Sequence, residues 1–440
     1  MNRDPFSLLE ERERLQYAIN KPAPFGYSFS MLNDPQSSPN EIYLDHAATS
    51  FPKPPGVIEA VVEWSRRLGA SAGRGDYPRA VETGEMLREC RVRLAALLGY
   101  SDPDRVIFTL NCTDALTVAL RGLRLRSGDV VIVGPTEHNS VMRPLNAMAR
   151  EEGVRVERLP CDAEGFADLE ALERALRGNR VRLVALQHAS NVLGALQDIA
   201  AAGSLCRAAG VPLLVDAAQT AGGIEIRGEE WGVTYLAVPG HKGLQGPLGT
   251  GALLIAREAD LEPFRMGGTG SVSEEEEHPR HYPDRLEAGS HNAFGLAGLS
   301  AALRWLGEQG IGTIRRHEKR LIESFLKECF ALEKEGVLRV TGPRDFERKS
   351  PVVAVDIPGI DPKEAARRLW EKDRIMVRPG LHCAPGAHRV AGTWPRGSVR
   401  FSLGPMTTEE EISRALDALR SVAASSEVSK RATPPVAARS

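Results

Sequence analysis

The sequence predicts an α/β protein with a mostly parallel sheet of seven strands and a smaller C-terminal α+β domain. Between about residues 100 and 256, short β-branched runs alternate with helical patterns, which is typical of parallel sheets. Several runs are apolar throughout, as strands covered on both faces are. From about residue 296 the alternation stops, and a long helical stretch leads into a few strands and helices. We therefore predict four segments: 1–40 (an N-terminal extension), 41–295 (the large domain), 296–423 (the small domain) and 424–440 (a disordered tail).

The elements are predicted in chain order from these patterns. The strands of the large sheet are predicted at Val106–Thr109, Val130–Val133, Arg155–Leu159, Val181–Leu186, Pro212–Val215, Tyr235–Val238 and Ala252–Ile255. Helical patterns lie between several of them, at Ala115–Leu123, Leu169–Leu176 and Ala200–Ala209. The C-terminal elements are strands near Val337–Val340, Val352–Ile357, Ile375–Val377 and Val399–Leu403, and helices at Pro362–Asp373 and Thr408–Val422. Because helical crossovers join several strands of the first series, we expect most of those strands to run parallel.

Composition and charge narrow the class of protein. The chain has 440 residues, of which 42% are hydrophobic and 26% are charged, as in soluble globular proteins. Its 56 Lys and Arg residues nearly balance 58 Asp and Glu residues, so charge gives no reason to expect a nucleic acid or a membrane as partner. No apolar run is long enough to cross a bilayer, and charges interrupt residues 1–19, so we expect a cytoplasmic protein. Six scattered cysteines are too few for a disulfide scaffold.

Polar residues follow the predicted strands at their carboxyl ends, where open α/β sheets bind ligands. After the first strand, Cys112 and Thr113 precede a helix whose free amides could bind a phosphate. The alternative for this segment is an ordinary helix cap. His138 follows the second strand and could stack on a planar heterocycle and carry protons, or lie on the surface. Asn191 follows a later strand and could bond a phenolic oxygen, or only serve the turn before Gly194.

The next two strands end in a carboxylate and an amine. Asp216, with Gln219 nearby, ends an apolar strand and therefore needs a cation or several donors, a need that a pyridinium nitrogen would meet. Its alternative role is to cap the next helix. Lys242 lies in a glycine-rich loop that a ligand can approach closely, although such a lysine is more often solvated. A phosphate site, a ring carboxylate and a lysine after successive strands are together what pyridoxal phosphate (PLP) requires.

These residues resemble those of the class V aminotransferase family of PLP-dependent enzymes, and within it the branch of cysteine desulfurases and selenocysteine lyases. The similarity covers roughly residues 42–418. The motifs that carry it are Tyr43-Leu44-Asp45-His46-Ala47-Ala48, Glu137-His138-Asn139, Ser190-Asn191-Val192-Leu193-Gly194, Val215-Asp216-Ala217-Ala218-Gln219, Gly240-His241-Lys242 and Glu287-Ala288-Gly289-Ser290. The resemblance implies the type I fold of PLP-dependent transferases, a homodimer, and a role in sulfur metabolism and iron–sulfur cluster assembly.

The resemblance also implies a role for each matching residue. Lys242 would form the Schiff base with PLP and later remove the Cα proton of the substrate. His138 would stack on the ring and handle a proton on the departing sulfur, while Asp216 would hold the pyridinium nitrogen. Asn191 and Gln219 would contact the ring oxygen. The remaining cofactor-binding residues would be Cys112, Thr113, His241 and, from the neighbouring subunit, Ser290.

A C-terminal loop indicates the substrate. Cys383 resembles the sulfur-accepting cysteine of the desulfurases, and its neighbours Arg378 and His382 would favour the thiolate. Arg400, on a later strand, would bind the substrate carboxylate, with Asn191 as a second contact. The implied reaction converts L-cysteine to L-alanine and leaves a persulfide on Cys383 for a sulfur-acceptor protein. The alternatives are inert packing of Cys383 and a metal site formed with nearby histidines.

Two features depart from the family pattern. Pro239 stands where desulfurases usually have a serine, which removes one phosphate hydroxyl. Glu274–Glu277 form an acidic run that we interpret as a solvated loop. Other substrates therefore stay open, because an aminotransferase, a selenocysteine lyase or another PLP-dependent lyase would share the cofactor residues and depend less on Cys383. A non-enzymatic protein regulated by metal or thiol chemistry would bind no PLP at all.

Overall fold

The computed structural model describes residues 41–72, 75–178 and 180–431, and side chains as far as residue 424. The predicted extension at 1–40 and residues 432–440 of the predicted tail lie outside the described residues. From Ile42 onward the chain forms one compact unit, so the predicted bound at 295 between two domains stays a prediction. In the described ranges, no helix is both long and apolar enough to cross a membrane.

The secondary structure alternates strands and helices through the first two thirds of the described chain. The strands are β1 (Ile42–Tyr43), β2 (Val106–Thr109), β3 (Val130–Val133), β4 (Arg155–Arg158), β5 (Val181–Gln187), β6 (Leu213–Asp216), β7 (Tyr235–Pro239), β8 (Gly251–Ile255), β9 (Arg339–Thr341), β10 (Val352–Asp356), β11 (Ile375–Met376), β12 (Arg378–Gly380) and β13 (Ser398–Ser402). The α-helices are α1 (Val57–Glu63), α2 (Pro78–Leu98), α3 (Cys112–Gly122), α4 (Asn139–Glu152), α5 (Leu169–Leu176), α6 (Ile199–Ala208), α7 (Ala293–Gln309), α8 (Ile311–Lys334), α9 (Pro362–Asp373), α10 (Pro385–Val390) and α11 (Glu409–Arg431).

The larger sheet positions the candidate site. Its seven strands lie in the order β2-β8-β7-β6-β5-β3-β4. Within this sheet β8 pairs antiparallel with β2 and β7, and the other pairs are parallel. This confirms the predicted, mostly parallel seven-stranded sheet. Six strands therefore point their carboxyl ends to the same edge, and the segments that follow them meet there.

Helices cover both faces of the larger sheet. In β5, Val184 and Leu186 belong to one apolar cluster, which includes residues of α2, α6 and α7. The intervening Leu183 and Ala185 belong to the opposite cluster, which includes residues of α3 and α4. This alternation between faces is the period of two that a strand imposes on its side chains. The interior strands of the sheet are therefore buried on both sides, whereas the edge strand β4 is largely exposed.

A smaller antiparallel sheet follows, in the order β12-β13-β10-β9. β1, which we assigned to the large domain, pairs in parallel with β11, and its Ile42 packs in the core of the C-terminal elements. The physical reason is that Ile42 and Leu44 are fully buried among the apolar residues of that core. The last helix, α11, continues past residue 423, where the predicted tail begins.

Most predicted bounds agree with the structure within two residues, but α3 begins earlier and α11 ends later than predicted. α3 begins at Cys112 rather than Ala115, because the Asn111 side chain caps the helix by accepting a hydrogen bond from the Asp114 amide at 3.0 Å. α2 and α4 were not among the predicted helices. Pro78 in the first turn of α2 and Gly99 after its end, at φ 73°, are the signals that the sequence offered for α2.

Candidate active site

One cavity lies at the carboxyl edge of the larger sheet, and we call it the Lys242 cavity. It is lined by eight of the predicted cofactor residues: Cys112, Thr113, His138, Asn191, Asp216, Gln219, His241 and Lys242. They come from segments that follow β2, β3, β5 and β7, and from the end of β6. Parallel pairing of neighbouring strands is what brings these distant parts of the sequence together.

Asp216 and Lys242 form the charged centre of this cavity. Asp216 ends β6 and is in register with Ala237 of β7, the strand that leads to Lys242. Burial lowers the pKa of Lys242, Asp216 opposes that effect, and the nearby Arg400 lowers the pKa further. The Lys242 amine therefore loses its proton more readily than an ordinary lysine and can serve as a base.

Cys112 and Ala218 hold the Asp216 carboxylate in place. Oδ1 of Asp216 accepts hydrogen bonds from the Ala218 amide at 2.9 Å and from the Cys112 thiol at 3.4 Å. Burial, followed by the negative charge of Asp216, raises the pKa of the Cys112 thiol well above its usual value. Cys112 therefore stays protonated and acts here as a donor to the carboxylate.

His138 is the N-cap of α4, which fixes its tautomer. Its Nδ1 accepts a hydrogen bond from the Ser140 amide at 3.1 Å and lies 2.9 Å from the Ser140 hydroxyl. That hydroxyl is also 2.7 Å from Oγ1 of Thr113. Burial is the main cause that lowers the pKa of His138, so the ring is neutral and carries its hydrogen on Nε2. Ser140 lines the cavity and was not predicted, although its position beside the His138 motif was a signal.

His241 also lines the cavity as a neutral ring. Burial, followed by the charges of Lys242 and Lys53, lowers the pKa of His241 to about 4. Nδ1 lies 3.1 Å from Oγ1 of Thr49, and the His241 carbonyl accepts a hydrogen bond from the Ser50 amide at 2.9 Å. The segment after β1 therefore holds the loop that carries Lys242, a contact that the sequence analysis did not predict.

The two predicted amides, Gln219 and Asn191, are partly engaged by the protein itself. Nε2 of Gln219 donates to the Ala47 carbonyl at 3.1 Å. Nδ2 of Asn191 donates to the His382 carbonyl at 2.7 Å, and its buried Oδ1 has no hydrogen-bond partner among the described residues. Asn191 therefore offers an acceptor to a ligand, and it also links the cavity to the loop that carries Cys383.

Residues 381–384, which we call the Cys383 loop, lie beside the Lys242 cavity. The Asn139 amide, at the start of α4, donates to the Cys383 carbonyl at 2.8 Å. Cys383 itself is exposed, has a positive φ of 57°, and is not among the described residues that line the cavity. The loop is thus fixed to the cavity through its backbone, while its thiol faces outward.

His382 does not provide the positive charge that we expected beside Cys383. It is buried, and burial, followed by the charge of Arg400, lowers the pKa of His382 to about 3. Its Nδ1 lies 3.2 Å from Nε2 of His388, so the ring is turned toward the interior. The prediction of a cationic His382 was therefore wrong. No group of three or more His, Cys, Asp or Glu residues could hold a metal ion in the described part of the chain.

Arg400 lies behind Asn191 and is 2% exposed. Its guanidinium donates to Oδ1 of Asp45 at 2.7 Å and to the Asn191 carbonyl at 3.1 Å. Its buried Nε has no hydrogen-bond partner among the described residues. Arg400 is not among the described residues that line the Lys242 cavity. Its guanidinium forms an ion pair with the carboxylate of Asp45. Asp45 is a residue whose role the sequence analysis missed, although it stands in a quoted motif.

Ser290 does not line the Lys242 cavity, so its contact with the phosphate of a neighbouring subunit stays a prediction. It is exposed and lines a separate cleft with Leu110 and Gly249. Glu287 anchors this segment, because it is buried and paired with Arg91 at 2.6 Å. Burial alone would raise the pKa of Glu287, but Arg91 and His291 lower it to about 2, so the carboxylate stays charged and bonded.

Comparisons with known proteins agree with this arrangement. The sequence profile of the family described as aminotransferase class-V matches residues 42–415. A probable cysteine desulfurase of Methanothermobacter thermautotrophicus is 33% identical over 389 residues, which are 87% of this chain and 95% of that protein. The cysteine desulfurase CsdA of Escherichia coli is 29% identical over 409 residues, which are 91% of this chain and 97% of that protein.

Solved structures are similar over the same range. An apo structure of a cysteine desulfurase from Thermococcus onnurineus superposes with a TM-score of 0.82 and 31% identity, covering 88% of this chain and 95% of that chain. The structure of Escherichia coli CsdA superposes with a TM-score of 0.79 and 28% identity, covering 88% and 96%. Both similarities confirm the predicted type I fold. Since the family profile spans nearly all of the compact unit that holds the Lys242 cavity, the chain belongs to the aminotransferase class-V family.

Proposed function

We propose that this protein is a PLP-dependent cysteine desulfurase, which converts L-cysteine to L-alanine and holds the released sulfur as a persulfide on Cys383. The observation that carries the proposal is that Asp216 and Lys242 line one cavity, beside which the Cys383 loop is hydrogen-bonded. The relatives named as cysteine desulfurases support this choice of substrate over that of an aminotransferase.

The chemistry of the cavity fits PLP. The first amides of α3 have no partner within the helix and, with the Thr113 hydroxyl, suit a phosphate group. Ser140 adds a second hydroxyl beside Thr113, which compensates for the serine that Pro239 replaces. Asp216 suits the ring nitrogen, and the unpartnered Oδ1 of Asn191 suits a phenolic hydroxyl. When bound, PLP withdraws electrons from the α-carbon of the substrate.

Lys242 is the proposed covalent attachment point and the base that removes the Cα proton. A general base needs a proton affinity close to the working pH, and burial together with Arg400 moves Lys242 in that direction. Asp216 limits the shift, because its negative charge stabilises the protonated amine. This balance keeps the amine able both to accept a proton and to release it.

Arg400 is the proposed partner of the substrate carboxylate. Its Nε is the donor that the protein leaves unused, whereas Asp45 and the Asn191 carbonyl occupy the other nitrogens. Arg400 itself does not line the Lys242 cavity, but its neighbour Asn191 does, so a substrate carboxylate that bonds Nε would approach past Asn191. The pair with Asp45 pre-orients the guanidinium, so little side-chain entropy is lost on binding.

Cys383 is the proposed nucleophile. Its sulfur attacks the substrate sulfur, an S–S bond forms, and the Cβ–S bond breaks with its electrons left on carbon, which then takes up a proton. His138 carries its hydrogen on Nε2 and is adjacent in sequence to Asn139, whose amide holds the Cys383 carbonyl. His138 is therefore suited to exchange a proton with the departing sulfur.

Two partners follow from this function. The exposed Cys383 can present its persulfide to a sulfur-acceptor protein. A second copy of the chain is the proposed occupant of the cleft that Ser290 lines with Leu110, which is 57% exposed. Leu248 and Phe294, which are 66% and 50% exposed, lie within two residues of cleft-lining positions in the sequence. Large exposed apolar side chains of this kind are typical of subunit contacts. The cytoplasmic location stays a prediction.

Visible spectroscopy and mass spectrometry test the proposal together. We expect the purified protein to show the visible absorption of bound PLP, to release alanine from L-cysteine, and to gain sulfur on the peptide that contains Cys383. Cys161 is partly exposed and remote in sequence, so its peptide serves as the internal control. A colourless protein would refute the PLP assignment. A coloured protein that gains no sulfur on Cys383 would favour another class V reaction.

A further inference from the structure

A second cavity lies against Lys242, and we call it the Glu318 cavity. Lys242 and Gln219 line both this cavity and the Lys242 cavity, so they form the wall between the two. Glu318 of α8 reaches it from the C-terminal elements. The volume of the Glu318 cavity is about 40 Å³, and one water molecule needs a cavity volume of roughly 10–15 Å³. The cavity is therefore large enough for more than one ordered water.

Three buried polar atoms at this cavity have no hydrogen-bond partner among the described residues. They are Nδ1 of His46, Oε1 of Gln245 and Oε2 of Glu318, and their residues all line the cavity. Gln245 and Glu318 are 2% and 4% exposed. Buried polar groups are nearly always paired, since leaving one unpaired costs about 1–3 kcal/mol. Three such atoms around one small space indicate that water binds there.

The chemistry of the three atoms makes them complementary. Burial raises the pKa of Glu318 to about 8, although Arg315 lowers it in part, so the carboxyl carries a proton near neutral pH and can donate. Oε1 of Gln245 can only accept. Burial, followed by the charge of Lys53, lowers the pKa of His46 to about 4, so the ring is neutral. Its other nitrogen is hydrogen-bonded to the Tyr43 backbone and keeps the hydrogen, which leaves the unpartnered Nδ1 as an acceptor. Water between them can satisfy one donor and two acceptors.

We propose that water in the Glu318 cavity links Glu318 to Lys242, and that the Glu318 carboxyl holds the proton which Lys242 must release to act as a base. From a Lys242 ammonium and a Glu318 carboxylate, the N–H bond breaks, water passes a proton on, and an O–H bond forms on Glu318, which gives the neutral amine and the protonated carboxyl that burial favours at both groups. The reverse transfer restores the starting charges. This inference rests on the proposed function, because that function makes Lys242 the base. Glu318 lines the Glu318 cavity and not the Lys242 cavity, so it is a positioning residue for the proton.

The first test is infrared difference spectroscopy of the holoenzyme near neutral pH. Subtracting the spectrum of E318Q from that of the wild type should leave the carbonyl band of a buried, protonated carboxylic acid. This band should shift when H2O is replaced by D2O. The difference is needed because Glu137 is a second buried acid whose pKa is raised to about 8. E335Q, at an exposed glutamate just after α8, is the matched control and should leave no band. Absence of the band in the wild type minus E318Q spectrum would overturn the proposal.

The second test distinguishes the proposed proton transfer between Lys242 and Glu318, which we call the relay, from a purely structural role of Glu318. With PLP bound, E318Q should slow exchange of the alanine α-hydrogen in D2O, followed by NMR, by about tenfold or more, while E335Q should exchange at the wild-type rate. G223A is a second variant, because a Cβ at Gly223 would lie 3.1 Å from Oε2 of Glu318, so the carboxyl would have to shift by a few tenths of an ångström. It should slow exchange to a smaller extent.

The outcomes distinguish this inference from the proposed function. Wild-type exchange rates in both E318Q and G223A, with PLP bound, would overturn the relay and leave the desulfurase assignment intact. A wild-type protein that binds no PLP would refute both. A slow E318Q enzyme with unchanged PLP content and unchanged thermal unfolding would support the relay.

Discussion

The Lys242 cavity and the Cys383 loop are neighbours that are built in opposite ways. The cavity is enclosed by segments at one edge of the larger sheet, and burial shifts the pKa values of its lysine and histidines. The Cys383 loop follows β12 of the smaller sheet and exposes its thiol. Backbone bonding from Asn139 and a side-chain bond from Asn191 join them.

The difference reflects two kinds of chemistry. A base that is to be neutral near pH 7 must be shielded from water, since water stabilises its charged form. A sulfur carrier must meet both a buried substrate and an external acceptor, so its thiol cannot be enclosed. The left-handed backbone at His382 and Cys383, with φ of 51° and 57°, turns the loop so that one side chain points in and the next points out.

The largest expected effect comes from changing Lys242 in the Lys242 cavity. Lys242→Ala should abolish the visible absorption of covalently bound PLP and lower the rate of alanine formation by about 10²–10⁴-fold, because the base is lost. Absorption spectra and an alanine assay measure both. Lys327→Ala changes an exposed lysine of α8 and is the control. If Lys242→Ala retained the absorption spectrum of the parent, the attachment point would lie elsewhere.

The second prediction concerns the Cys383 loop and leaves the Lys242 cavity unchanged. Cys383→Ala should keep the visible spectrum of the parent, since Cys383 does not line the cavity, but should form no persulfide from L-cysteine. Mass spectrometry of the intact protein after exposure to L-cysteine measures the added sulfur. Cys161→Ala is the control and should gain sulfur as the parent does. Parent rates of desulfuration in Cys383→Ala would make Cys383 a structural residue.

The two regions also differ in how far sequence could predict them. The convergence of Asp216 and Lys242 follows from the rule that parallel strands end at one edge, so the apolar strand patterns were sufficient. The neutrality of His382 depends on burial and on His388, which no local pattern reveals. The pair of Arg400 with Asp45 joins residues 355 positions apart, and only the folded chain brings them together.

A third prediction concerns the bond between the two regions. Asn191→Ala removes the donor to the buried His382 carbonyl, which should cost about 1–3 kcal/mol of local stability. The Cys383 loop should then open more often, so its backbone amides should exchange faster with D2O. Hydrogen-exchange mass spectrometry measures this rate, and the peptide that contains Cys161 is the internal control. Unchanged exchange in the Cys383 loop would mean that the Asn139 contact alone holds the loop.

The smallest effect concerns the hydroxyl that we assign in place of the missing serine. Ser140→Ala removes the partner of the Thr113 hydroxyl, a loss of about 0.5–1.5 kcal/mol, which corresponds to about two- to tenfold weaker PLP binding. Titration of the apoprotein with PLP, followed by absorbance, measures it. Ser204→Ala is the control, because the Ser204 hydroxyl bonds only to the Ala200 carbonyl within α6. Unchanged affinity would show that the amides of α3 and Thr113 hold the phosphate without Ser140, whereas the persulfide on Cys383 should form in either case.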